Sequence, residues 1–244
     1  MAVRFDNYYG NFDTLSVDKL RQKAQETLDE NENFEPVTVK VNDRKKVCES
    51  WWGETWCKNL ERYADYENRI GRGKTYLRHG AVIDLKINGN KINAKVQGSF
   101  WEPYKVRITV DKLSEENQKK ILEKATKKIQ DMESLMTGNF PEELKELFFQ
   151  EGGLFPAPNE IHFLCNCPDW ADMCKHNAAV LYGVAVRLDE NPLLFFQMRG
   201  IDITKFTDKI LDKKVQSMVE HANVKSPRIM ENADLLKIFG LKNS

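Results

Sequence analysis

Net charge is the first thing this chain lacks. Its 37 Lys and Arg balance 37 Asp and Glu over 244 residues. No overall field draws it to a polyanion, so any nucleic-acid contact must come from a local patch. No apolar run approaches the roughly 18 residues of a membrane span, so no membrane association is expected. The start, MAVRFDNYYGNFDT, lacks the basic and then apolar regions of a signal peptide. Cysteine is scarce: there are five, an odd count, which argues against a secreted disulfide framework. A reducing, cytoplasmic setting is expected. Nor is there an internal repeat or a low-complexity tract. What remains is ordinary for a globular chain, with 41% apolar and 30% charged residues. The length suits one large domain or two small ones, and a core can form without help from a metal.

Against that scarcity, residues 165–176 read CNCPDWADMCKH and hold three of the five cysteines with one of the four histidines. The pattern is C-x-C-x6-C-x-H. Three thiolates and one imidazole make a closed tetrahedral set, the habit of one structural Zn²⁺ ion. Cys165 and Cys167 at the end of a strand would share a face. Cys174 and His176 cannot do so inside a helix, where i and i+2 diverge by about 200°. Cys174 is therefore expected just before a helix and His176 in its first turn, where the helix dipole and Lys175 ease a site of formal charge −1. Asp169 and Asp172 are candidates to orient ligands or cap the helix, and Trp170 to shield the metal. Three rival readings fit less well. Buried cysteines packed as small hydrophobes fit poorly with polar Asn166, Asp169, Asp172 and Lys175 between them. A thiol redox motif wants C-x-x-C. A Cys–His nucleophile needs only one cysteine.

Along the chain, 16–34 reads as a helix opened by Ser16, and EPVTVKV (35–41) as a strand. Residues 48–66 set Trp52, Trp56, Leu60 and Tyr63 on one helical stripe. AVIDLKI and KINAKV flank an Asn-Gly turn, a β-hairpin, and PYKVRITV adds a third strand. Helices are expected over 113–136, opened by Ser114, and over 141–150. IHFLCNC (161–167) reads as a strand, 176–190 as a buried helix and 192–200 as a short helix. The expected fold class is α+β: a small antiparallel sheet of three strands with flanking helices, plus a zinc-bound β-turn-α unit. The expected divisions are an N-terminal arm and linker (1–47), a body (48–160), the zinc unit (161–205) and a tail (206–244).

CNCPDWADMCKHNAAVLYGV resembles the SWIM zinc finger, whose pattern is C-x-C, a variable gap, then C-x-H. The likeness extends over roughly residues 35–205, through WWGETWCKNLERYADYENRIGRGKTYLRHGAVIDLKI, KVQGS and GLFPAPNEIHFL, to stand-alone prokaryotic SWIM proteins. The resemblance implies a zinc site at Cys165, Cys167, Cys174 and His176. It also implies binding to nucleic acid or protein, and a Swi/Snf-type helicase-like ATPase as a partner.

A second candidate site is RIGRGKTYLR, read as a basic loop. Arg69, Arg72, Lys74 and Arg78 would contact phosphates, Gly71 and Gly73 would admit backbone amides, and Tyr76 would stack a base. The surrounding 58–112 segment holds 12 basic and 6 acidic residues, against 6 and 10 in 113–160. The plain alternative is a solvated loop whose arginines pair with Glu61, Asp65 or Glu67. Trp52 and Trp56 read as core, and Trp51 and Trp101 as surface. His79 and His162 read as lone polar residues. Cys48 and Cys57 are not a ligand pair, and Cys57 reads as buried packing. No paired carboxylates, nucleophile with base or phosphate loop appears, so no enzyme and no small-molecule substrate is expected. The expected function is a zinc module that binds DNA or RNA. The alternative is a protein adaptor using the zinc loop and residues 187–200.

Overall fold

The computed structural model describes residues 16–61, 67–128, 142–150, 152–169 and 171–222. The expectations for the N-terminal arm, Tyr63, Asp65 and Trp170 fall outside these residues. The expected α+β class is what the structure has: one antiparallel sheet of four strands with flanking helices.

The elements run α1 (Val17–Asp29), α2 (Trp51–Glu61), α3 (Glu67–Arg78), β1 (Val82–Asn88), β2 (Lys91–Val96), β3 (Tyr104–Val110), α4 (Glu115–Lys128), α5 (Glu142–Phe149), β4 (Ile161–Cys165), α6 (Lys175–Glu190), α7 (Leu194–Met198) and α8 (Ile203–Ala222). Local chemistry accounts for several boundaries. Ser16 accepts a hydrogen bond from the Lys19 amide and Ser114 one from the Asn117 amide, as N-caps do. Gly89 takes φ +58° between β1 and β2, which closes the hairpin in two residues. β3 alternates cleanly: Tyr104, Val106, Ile108 and Val110 are buried while Lys105 and Arg107 face out.

The strand expected within the zinc unit does not stand apart. β4 pairs antiparallel with β3, Cys165 opposite Val106 and Ile161 opposite Val110, so the three-strand sheet becomes four. α6 then packs on the inner side against all four strands. It is buried nearly all round, from His176 to Leu188. Trp52 and Trp56 of α2 are core, as their stripe predicted, and their indole N–H groups donate to the Leu188 and Leu181 carbonyls of α6, each at 3.0 Å. Arg199 is buried, donating to the Gly153 and Asp111 carbonyls and pairing with Glu160 at 2.8 Å.

Three expectations need correction. Residues 35–41 form no strand. Only Glu35 and Val37 bond to β1, through Leu85 N–H to Glu35 O and Val37 N–H to Val82 O. Beyond Val37 no backbone bond joins the segment to β1, so the pairing stops there. Trp51 is not a free surface residue: its ring meets Phe148 edge-on at 5.3 Å and Lys145 lies over it at 5.2 Å. Trp101, by contrast, is 71% exposed, as expected.

The third correction matters most. Residues 69–78 are not a loop but the body of α3, which packs along α6. Gly73 makes that approach possible. A Cβ there would lie 2.5 Å from Ala178 Cβ and 2.9 Å from the Ala179 backbone nitrogen. Gly71 has open space around it. The two glycines therefore separate in a test. Gly73→Ala is expected to destabilise the fold by about 1–3 kcal/mol through overpacking against α6. Gly71→Ala should be neutral or stabilising by up to about 1 kcal/mol, the helical advantage of alanine. Urea unfolding of both variants measures the contrast.

Candidate metal centre

The backbone brings the four expected ligands together. Cys165 ends β4, Cys167 lies in the bend after it, Cys174 is the N-cap of α6, and His176 is in the first turn of α6. The expected position of the second pair is the observed one. Cys167 differs in detail, because the strand stops at Cys165 and Pro168 follows. The three Sγ atoms and a histidine ring nitrogen all lie within 4.8 Å of one another. The Cys165 and Cys174 sulphurs are each 3.9 Å from His176 Nδ1. Nδ1 therefore faces the sulphurs, and the set can hold a metal ion.

Electrostatics favour an ion in their midst. Hydrogen bonds from Cys165 and Cys174 hold the Cys167 thiol well below its ordinary value. The contact with Cys167 drives Cys165 far up, and Cys174 is raised to about 11. Three thiols so close cannot all ionise unaided, and a divalent cation removes that mutual penalty. Burial holds His176 below its usual value, hence neutral, as a ligand must be. Cys174 accepts the Asn177 amide at 3.4 Å, so one sulphur is already on a helix N-terminus.

A shell of residues holds the ligands in place. The Tyr104 ring stacks on the His176 ring, centroids 4.3 Å apart and planes 28° apart. Tyr76 meets the same ring edge-on at 5.6 Å, and Lys175 lies over Tyr76 at 5.3 Å. Gly98 leaves room: a Cβ would come 2.5 Å from the Tyr104 ring and 3.4 Å from His176 Nε2. Nε2 is buried with no hydrogen-bond partner among the described residues. Asn177 donates to the Asp172 carbonyl at 2.6 Å, closing the loop between the ligand pairs. Asp169 does not cap the helix, since Cys174 does, but its backbone hydrogen-bonds Cys167. It takes a two-pronged bond from Arg69, at 2.9 and 3.2 Å, and so ties the loop to α3. Tyr104, Gly98 and Asn177 escaped the sequence reading, since only the fold carries β3 and the 97–99 turn to His176. The KVQGS segment was the one hint.

The basic stretch is placed differently from its expectation. Arg69 binds Asp169, as above. Lys74 donates to the Lys45 carbonyl at 3.1 Å and pairs with Glu61 at 3.4 Å. Arg78 donates to the Asp43 and Lys46 carbonyls. Tyr76 packs on the metal ligand. Arg72 is the exposed cation of the group. Cys48 and Cys57 are both buried, far in role from the ligand set, and their contact with each other pushes the Cys57 thiol up.

No family model and no solved structure matches the chain. It is 33% identical over 159 residues to a Mycobacterium tuberculosis protein described as "Uncharacterized protein Rv2102", across 64% of this chain and 57% of that one. The match thus spans little more than half of the relative's length, and its description states no activity.

Metal content is open to direct measurement. We expect one ion per chain to survive desalting, read by elemental analysis, and to be lost in Cys174→Ala and His176→Ala. Retention should fail as pH drops, because the bound form needs three thiolates and a neutral imidazole.

Proposed function

We propose that this chain is a non-enzymatic, zinc-binding module of the SWIM type that binds nucleic acid, by itself or in support of a Swi/Snf-type ATPase. The observation that carries the reading is the closed Cys₃His set at the junction of β4 and α6. Sulphur-rich donors at tetrahedral number favour zinc over harder cations. Four protein ligands leave no position for a reacting water, so the ion's work is to hold the loop. Arg69 and the Tyr76–His176–Tyr104 cluster support that structural role by clamping the site from two sides.

A protein-adaptor reading is kept because of α8. Leu211, Val215, Met218 and Val219 are exposed on it at helical spacing, an apolar stripe that invites a partner. The surface first expected for an adaptor is less suitable. Leu188, Phe195, Phe196, Met198 and Arg199 within 187–200 are buried.

Fluorescence anisotropy with labelled oligonucleotides over a salt series separates the two readings. Backbone binding predicts a log–log salt slope of about −0.7 per phosphate contacted on a single strand. Salt-insensitive association with an ATPase, and no oligonucleotide affinity at low salt, would decide for the adaptor.

A further inference from the structure

The sheet has two faces, and α6 covers one. On the other, alternate residues of β1 to β3 point to solvent. Register places Lys95 between Asp84 and Lys105, and Asn93 between Lys86 and Arg107. These side chains, with Asn166, line an open depression of about 450 Å³. Like charges directly opposite one another weaken a sheet. The Lys95–Lys105 contact is such a pair, offset in part by Asp84 on the other side of Lys95, and violations of this kind gather where function requires them.

Little on this face offsets the charge. Asp84 is the one carboxylate lining the depression, and it is only 9% exposed. It is occupied by the Glu35 amide at 3.0 Å and by Lys86 at 3.8 Å. Among the described residues no carboxylate pairs with Lys95, Lys105 or Arg107. Lys95 lies instead over the Phe34 ring at 3.9 Å. The amides add donors rather than acceptors. Asn93 Oδ1 accepts from Arg107 Nε at 3.3 Å, and Asn166 Oδ1 from the Lys105 amide at 2.8 Å. Both oxygens are engaged in these bonds. A face of cations and amides with one carboxylate, Asp84, is complementary to phosphate oxygens.

Shape selects the form of the polyanion. Four strands at about 4.8 Å spacing give a platform some ~14 Å wide. Among the described residues that line it, no helix or ribbon projects to enter a duplex groove. An extended single strand can lie across the rows and meet several cations at once.

We propose that the outer face of the sheet, centred on Lys95, Lys105 and Arg107, binds single-stranded nucleic acid through its phosphates. The proposal rests on the nucleic-acid reading above and gives it a surface other than 69–78, where Arg69, Lys74 and Arg78 already have partners within the chain. The candidate metal site borders this face. Asn166 sits between Cys165 and Cys167 and accepts from the Lys105 amide, so a bound ion would order one corner of the platform.

The test uses the full metal-bound chain and a fluorescein-labelled oligothymidylate. Wild type is compared with Lys105→Gln/Arg107→Gln and with a charge-matched control, Lys119→Gln/Lys124→Gln on the exposed side of α4. All four positions are exposed, and melting curves and metal content confirm that each protein is intact. The sheet variant should lose about tenfold in affinity, its salt slope shrinking by about 1.4 for two lost contacts, with the control unchanged. An unchanged sheet variant, or an equal loss in both variants, overturns the surface while leaving the module reading in place. A duplex bound more tightly than the single strand overturns the single-strand assignment. A wild type that binds neither probe at low salt overturns the surface and the module reading together.

Discussion

One demand governs this structure: the end of an edge strand and the start of a buried helix must meet at a point small enough for a single ion. Cys165 closes β4, and Cys174 and His176 open α6. With Cys167 their donor atoms lie within 4.8 Å. α6 touches all four strands, so whatever fixes its N-terminus fixes the inner face of the sheet. The rest of the fold serves that junction. Gly73 lets α3 come close enough for Tyr76 to reach His176, and Arg69 of the same helix holds the loop through Asp169.

This arrangement divides the labour. The metal unit is inward-looking, with His176 and Cys174 buried and the Tyr104 and Tyr76 rings packed against the imidazole. Four protein ligands around one ion would leave no open coordination position. The proposed partner contact lies instead on a surface next to the metal unit. The outer sheet face is bounded by Asn166 from within the ligand loop and carries the uncompensated cations. Zero net charge on the whole chain hides that segregation, which only the strand register brings into view.

Local signals survived in the sequence wherever one segment contained the whole reason for its structure. The hairpin at 82–96 follows from alternation and an Asn-Gly turn. α2 and α6 follow from their apolar patterns, and the ligand set from four residues within twelve positions. Features that depend on distant partners were not legible. Gly71 and Gly73 look alike in sequence, yet one faces open space and the other an opposing helix backbone. In isolation both say loop. Trp51 lies off its own helix's stripe and is covered by Phe148 and Lys145, almost a hundred residues on. Tyr104 and Gly98 give no sign of the histidine they enclose, because the contact is made by the sheet and not by spacing.

The account stands or falls on the nature of the ion and its ligands. X-ray absorption at the zinc edge of the purified protein tests both at once. A Cys₃His zinc site predicts three sulphurs at about 2.3 Å and one nitrogen at about 2.0 Å, with no oxygen ligand. A spectrum dominated by oxygen and nitrogen, or protein that holds no zinc after purification without chelators, would contradict the central claim.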